Sequence, residues 1–255
     1  MINKGKIREY NITDSNPLVA FRHHVFNRDR FCHYLRWSHI LKVTRSERDI
    51  ILTDFGCGKG FLAEVLYRNK QKVGLYQGID IRKQTIKKNK ETFKIVSKWV
   101  KFFQADLIKD KLRKIKPADI VCSLEVIEHV GKKNADIFLK KFRDCGKEDA
   151  TYYLSTPNYD EKVGAAKNHI YNGQVNEFKH KELEEILKRY FIVENKYGTY
   201  ASIKDYKEDL NKGERELFDK LHSYYDVDFL SVIFAPLFPE KSRNCMWVLK
   251  RKLKS

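Results

Sequence analysis

The 255-residue chain carries 51 lysines and arginines against 34 aspartates and glutamates, a formal net charge of +17, and 42% of its residues are hydrophobic. That apolar share builds a sizeable core and excludes wholesale disorder, while the basic excess suits a polyanionic partner or a solvated lysine-rich surface. Five scattered cysteines with no C-x-x-C pair exclude a disulfide framework and a zinc ribbon, and suit a reducing compartment.

Residues 1–46 read as an N-terminal helical cap. Its opening, "MINKGKIREY", has no apolar stretch, so no signal peptide is expected, and a soluble cytoplasmic protein without membrane attachment is the expectation. The strongest helix, "NRDRFCHYLRWSHILK", mixes Arg30, His33, Tyr34, Arg36, Trp37 and His39, which offer stacking surfaces beside cations. The same segment could equally pack on a sheet edge through Phe31, Leu35 and Leu41.

From residue 47 to 199 strand-like and helix-like stretches alternate. Strands are expected at 49–55, 73–80, 99–106, 118–125, 151–157 and 191–200, with helical stripes between them. This rhythm predicts an α/β fold: a doubly wound, Rossmann-like, mostly parallel sheet with helices on both faces. Residues 200–243 break it as an insertion or lid, with one charged helix over 205–225 and the apolar run "FLSVIFAPLF", too short to span a bilayer. Residues 244–255 read as a final strand and a basic tail.

"TDFGCGKGF" places Gly56, Gly58 and Gly60 directly after the first strand. A glycine loop there lets the backbone approach a ligand closely, next to a helix N-terminus that favours an anionic group. The nicotinamide fingerprint would require glycine at 61, where this chain has Phe61. Asp80 closes the second strand, where a carboxylate can accept from two ribose hydroxyls. Asp106 ends the third, placed to accept from an exocyclic adenine amine.

The segments "ILTDFGCGKGFL", "YQGIDI", "FFQADL", "ADIVCSLEVIEHV" and "YLSTPN" resemble, in order, the class I S-adenosylmethionine-dependent methyltransferases. The resemblance covers about residues 47–198 and the final strand. It implies a seven-stranded sheet with the last strand antiparallel, and S-adenosylmethionine as cofactor. It also implies a seat made by Asp54, Gly56, Cys57, Gly58 and Gly60, by Asp80 and Ile81, by Asp106 and Leu107, and by Leu124.

In "LEVIEHV", Glu125, Glu128 and His129 would share one face if a helix begins at Glu125. With His169 from "KNHIYN" as a fourth ligand, or with His180 in its place, they form a set suited to Mg²⁺ or Mn²⁺. The arrangement resembles two branches of the family, the 3′-terminal RNA ribose methyltransferases and the ubiquinone-pathway O-methyltransferases. Acidic residues offsetting a helix dipole, with the histidine lining a pocket, are the plainer alternative. The expected activity is methyl transfer to an oxygen, less readily a nitrogen, of a nucleic-acid or phosphorylated acceptor. A small-molecule O-methyltransferase and a non-catalytic cofactor-binding subunit remain open.

Overall fold

The computed structural model describes residues 28–45, 49–71, 73–161, 169–171, 174–201 and 203–252; most of the expected N-terminal cap, residues 1–27, lies outside them. In chain order the described elements are α1 (Arg28–Thr44), β1 (Ile51–Phe55), α2 (Phe61–Arg68), β2 (Leu75–Asp80), α3 (Lys83–Thr92), β3 (Val100–Gln104) and β4 (Ala118–Leu124). There follow α4 (Ile127–Val130), α5 (Ala135–Asp144), β5 (Gly146–Pro157), β6 (Ile170–Tyr171), β7 (Gln174–Val175), α6 (His180–Leu187) and β8 (Phe191–Tyr200). Then come α7 (Ile203–Tyr206), α8 (Lys212–His222), α9 (Val227–Phe234) and β9 (Asn244–Arg251).

Seven strands form one sheet in the order β3-β2-β1-β4-β5-β9-β8, and a separate ribbon pairs β6 with β7. β9 runs antiparallel to both β5 and β8, and the remaining neighbours are parallel. The alternation of side chains along a strand feeds two cores. Phe55, Val121, Tyr152, Leu154 and Trp247 point to one face, where they meet Phe138, Leu139 and Phe142 of α5 and Leu183 and Leu187 of α6. Leu52, Cys122, Tyr153 and Met246 point to the other, against Trp37 and Ile40 of α1, Leu62 and Leu66 of α2 and Ile86 of α3. With both faces covered, the central strands must be apolar almost throughout, which is why "IVC" and "YYL" run without polar interruption.

The insertion differs from expectation. Residues 205–225 do not make one helix: α7 ends at Tyr206, a short 3₁₀ turn follows, and α8 starts only at Lys212. Asn211 is the cause. Its side chain accepts the Glu214 N–H at 2.9 Å while Glu214 accepts the Asn211 N–H at 2.9 Å, a reciprocal cap that begins a new helix. Tyr206, Leu210, Phe218, Leu230 and Phe234 then close a third, smaller apolar cluster. No helix among the described residues is long and apolar enough to cross a membrane.

The chain winds outward from β1 to β2 and β3, then returns to lay β4 on the other side of β1. Ligands of open α/β sheets settle at such a reversal, outside the carboxyl ends of the strands.

Candidate functional site

The loop after β1 is shaped by backbone that only glycine adopts at low energy. Gly56, Gly58 and Gly60 all have positive φ, at +71°, +51° and +78°. The loop is fastened to β2 and α3: Cys57 N–H donates to Ile79 O at 2.9 Å, Gly58 N–H to Asp80 Oδ2 at 3.0 Å, and Asn89 Nδ2 to Gly58 O at 2.8 Å. A Cβ on Gly56 would come within 2.4 Å of Val126 Cγ2, so β1 and the residue beyond β4 meet at that glycine. At Gly58 the space is open save for Arg82 Nη2 at 3.4 Å. Cys57 is buried, and burial followed by the charge of Asp54 pushes its thiol well up, which removes it as a nucleophile at neutral pH.

Asp54 lies beneath this loop and accepts the Tyr76 hydroxyl at 2.6 Å. Burial lifts its carboxyl from 3.8 to about 7; the Tyr76 bond opposes that rise and the nearby Asp80 adds to it. The native state therefore holds the Asp54 proton well above the pH at which the unfolded chain releases it. Stability present below the unfolded pKa is lost as pH rises through the folded one. Asp54→Asn keeps an oxygen for Tyr76 and cannot ionise. Its stability advantage over the wild type should grow from about pH 4 to pH 7, reaching about 4 kcal/mol at most. A urea-unfolding difference that stays constant between acid and neutral pH would contradict this.

Asp80 is buried at the end of β2 with both oxygens engaged. Oδ1 accepts Arg82 N–H at 2.9 Å and Nε at 3.0 Å, and Oδ2 accepts Gly58 N–H and, at 3.2 Å, Arg82 Nη2. The Arg82 side chain is 56% exposed, so the guanidinium is a removable cover rather than a buried partner. Ile81 is an exposed apolar residue beside it, Leu107 is buried and Leu124 is half-buried. Asp106 Oδ1 accepts the N–H groups of Ile108 and Lys109 at 2.8 and 3.1 Å, and the first of these bonds leads the causes that hold its carboxyl below the usual range. That oxygen closes the turn after β3.

At the end of β4 the structure corrects one expectation. Glu125 is not on a helix: its φ is +60°, and α4 covers only Ile127–Val130. The i, i+3, i+4 face therefore does not exist, and the four expected residues divide. Glu128, His129 and His169 bring ligand atoms within 4.8 Å of one another. Glu125 is not part of that cluster; it is bound by Ser155 Oγ at 2.8 Å, Asn244 Nδ2 at 2.7 Å and, at 3.3 Å, Arg36 Nη1.

Within the cluster Glu128 is buried and accepts the Thr156 hydroxyl at 2.9 Å. Burial, then the neighbouring Glu125, raises its carboxyl well above the usual range. His129 is exposed and its ring meets that of His169 edge-on at 4.9 Å. His169 is buried and its Nδ1 lies 2.7 Å from Glu177 Oε1. That bond orients the ring and leaves Nε2 as its ligand atom, the carboxylate–histidine pairing usual behind metal-binding imidazoles. A buried carboxylate, two imidazoles and such a backing acid fit a divalent metal. His180 is elsewhere, its ring tilted by 34° against Trp247 with centroids 4.6 Å apart. A cavity of about 310 Å³ opens beside His129, lined by Gly131, Lys133, Asn134, Gln174 and Asn176.

Of the two readings of the N-terminal helix, the structure shows the one in which it packs on the sheet. Trp37 and Arg36 turn inward and are buried, while Tyr34 is mainly exposed. His39 lies between Tyr153 and Tyr197, at 5.4 and 4.9 Å. Lys83, Lys87, Lys88 and Lys90 of α3 make a solvated face.

Residues that sequence reasoning missed are Arg36 as a buried group, Tyr76, Ser155, Thr156, Glu177 and Asn244. Glu177 carried a readable signal, an acid close behind His169 in "NHIYNGQVNEF".

Residues 22–190 match a family described as a methyltransferase domain. No curated protein matches the chain in sequence. Among solved structures, the putative methyltransferase complexed with the Trm112 methyltransferase activator of Haloferax volcanii is 16% identical, with a TM-score of 0.60 over 96% of this chain and 99% of that one. The small RNA methyltransferase HEN1 is 18% identical, TM-score 0.59, over 88% of this chain and 26% of that one. A TehB-like S-adenosylmethionine-dependent methyltransferase from Corynebacterium glutamicum is 15% identical, TM-score 0.52, over 89% and 100%. At such identities the likeness is one of fold. The matched domain spans most of the chain, and with the sheet order and the glycine loop it makes this protein a member of the class I S-adenosylmethionine-dependent methyltransferases.

Proposed function

We propose that the enzyme transfers the methyl group of S-adenosylmethionine to a hydroxyl oxygen of a nucleic-acid acceptor, and that Glu128, His129 and His169 hold a divalent cation beside that oxygen. The convergence of those three residues next to the cofactor loop carries the proposal. The cofactor's amino-acid end would rest on the bare main chain of Gly56 and Gly58, its ribose hydroxyls on Asp80 once Arg82 swings away, and its adenine beside Ile81, Asp106 and Leu107. Asp54 would stay below the loop as a buried support.

A sulfonium methyl is already activated, so the protein's task is to align the acceptor and exclude water. The acceptor oxygen forms a bond to the methyl carbon as the carbon–sulfur bond breaks, and the sulfonium charge is neutralised in the leaving thioether. The hydroxyl proton must also depart, passing to solvent water at the exposed edge of the site beside His129. A bound cation would supply a lower pKa for that hydroxyl. With two imidazoles in the set, Mn²⁺ suits it better than Mg²⁺, which prefers oxygen ligands. Support for a nucleic-acid acceptor comes from the net charge of +17, from Lys133 at the mouth of the cavity beside His129, and from a structural neighbour described as acting on small RNA.

The test is incubation with tritiated S-adenosylmethionine and separate RNA, DNA and metabolite pools. Label should enter the RNA pool, and binding should weaken steeply with added salt. EDTA and Glu128→Gln should each reduce transfer by about tenfold or more, with Mn²⁺ restoring the EDTA-treated enzyme. Transfer indifferent to the chelator would remove the cation, and label confined to small molecules would remove the nucleic acid.

A further inference from the structure

The structure assigns to Arg36 of α1 the part of a positioning residue for methyl transfer, acting through Glu125 on the turn that carries Glu128 and His129. The assignment rests on the proposed placement of the chemistry at the end of β4.

Arg36 is 2% exposed. Its Nη1 donates to Asn244 Oδ1 at 2.9 Å and lies 3.3 Å from Glu125 Oε1, and its Nη2 donates to His33 Nδ1 at 2.9 Å. An arginine has no acceptor to offer, so His33 takes this bond as a neutral ring protonated at Nε2. Burial and then the Arg36 charge hold His33 down to about 3, which keeps the ring in that form. Asn244 Oδ1 also accepts the Thr199 hydroxyl at 2.8 Å, and Asn244 Nδ2 donates to Glu125 Oε2 at 2.7 Å. Ser155 Oγ donates to Oε1 at 2.8 Å. A single carboxylate is thus gripped from α1, β5 and β9. Arg36 Nε has no partner among the described residues.

Net stability is a weak reason for this arrangement. A buried ion pair often contributes no more stability than apolar side chains of the same volume, and a buried donor without a partner is unfavourable. The network instead fixes a backbone conformation. Glu125 sits at φ +60°, a region costly for a residue with a side chain, at the junction between β4 and α4. The residue after it, Val126, abuts Gly56 of the cofactor loop, and Glu128 follows two residues after Val126. If Glu125 relaxed to the ordinary helical region, Val126 would shift against the glycine loop and Glu128 would turn from His169. With each Glu125 oxygen already accepting a hydrogen bond, its side chain is poorly placed to serve as the base. Its contribution is to hold the turn, and α1 locks it there.

The experiment compares wild type, Arg36→Met, Arg36→Lys, Glu125→Gln and the Arg36→Met/Glu125→Gln pair, using whichever acceptor pool the wild-type enzyme labels. Arg36→Met fills the same volume; it should lower the thermal midpoint, because Glu125 loses its cation, yet remain folded at the assay temperature, and the pair should recover part of that loss. The kcat of Arg36→Met should fall about twentyfold or more while KM for S-adenosylmethionine, whose seat lies on β1 and β2, changes less than threefold. Arg36→Lys should recover part of kcat, and the pair should be no worse than the worse single variant. Unchanged kcat in a folded Arg36→Met would overturn the assignment, as would losses that multiply in the pair. Glu128→Gln run in parallel separates the two ideas. If it is inactive while Arg36→Met is fully active, the positioning role fails and the placement of the chemistry stands. If it is fully active, that placement fails, and the route from Arg36 through the turn fails with it.

Discussion

Asp80→Ala is expected to weaken S-adenosylmethionine binding by about 100-fold or more. Two ribose hydroxyls donating to a largely buried carboxylate are charge-assisted bonds, worth about 1.5–3 kcal/mol each. The carboxylate is positioned in advance, because Gly58 N–H already donates to Oδ2 at 3.0 Å. The guanidinium of Arg82 must leave before the sugar can enter, but it is mostly in water, and an exposed pair gives up little. Asp80→Asn serves as the control for loop collapse: its amide oxygen can still accept from Gly58, while its NH₂ group cannot accept from a hydroxyl. Both variants should lose affinity, the asparagine variant with the smaller loss of stability. Calorimetry gives the affinity directly, and wild-type affinity in either variant would refute the ribose assignment.

The second large effect separates two glycines of one loop. Gly56→Ala should destabilise the fold by about 3 kcal/mol or more, because a left-handed backbone penalty of about 1–2 kcal/mol adds to overpacking. The new methyl would press into Val126 at 2.4 Å, which is backed by the core. Val126→Ala in the same chain should recover part of that loss. Gly58→Ala should cost only about 1 kcal/mol of stability. Its methyl meets the tip of a flexible arginine side chain at 3.4 Å and otherwise projects into open space. That space is the proposed seat of the cofactor, so Gly58→Ala should remain folded and bind poorly. Denaturant unfolding paired with cofactor titration distinguishes them. Equal stability losses at 56 and 58 would show that the loop is only a turn.

Much of the architecture was legible because the sheet is covered on both faces. Buried parallel strands such as "ADIVCSL" announce themselves as apolar runs, and the helices between them carry one apolar stripe each, as in Phe138, Leu139 and Phe142. The glycine loop was legible for a local reason: three positive-φ positions in five residues leave few residue types able to occupy them. The division of the 205–225 segment was also local, in the Asn211–Glu214 cap, and was hidden by the stronger periodicity on either side of it.

The candidate site was legible only in part. Reading "EVIEH" as one helical face assumed a helix from Glu125 onward, but that residue's conformation is decided by groups 89 residues before it and 119 after it, at Arg36 and Asn244. No local pattern records such a meeting. Likewise Arg36, in an aromatic and basic segment, reads as a surface cation until α1 is laid on the sheet. Asp106 shows the reverse case: an acid at a strand end is also what a turn uses to satisfy its own N–H groups, here those of Ile108 and Lys109.

The central claim, that the crevice over β1 and β2 seats the methyl donor, is tested most directly by a crystal structure of the protein soaked with S-adenosylhomocysteine. The account predicts both sugar hydroxyls within hydrogen-bonding distance of the Asp80 carboxylate, Arg82 displaced from it, and the amino-acid tail along the main chain of residues 56–58. Density for the ligand at any other place on the molecule, or none over that crevice at saturating concentration, would contradict it.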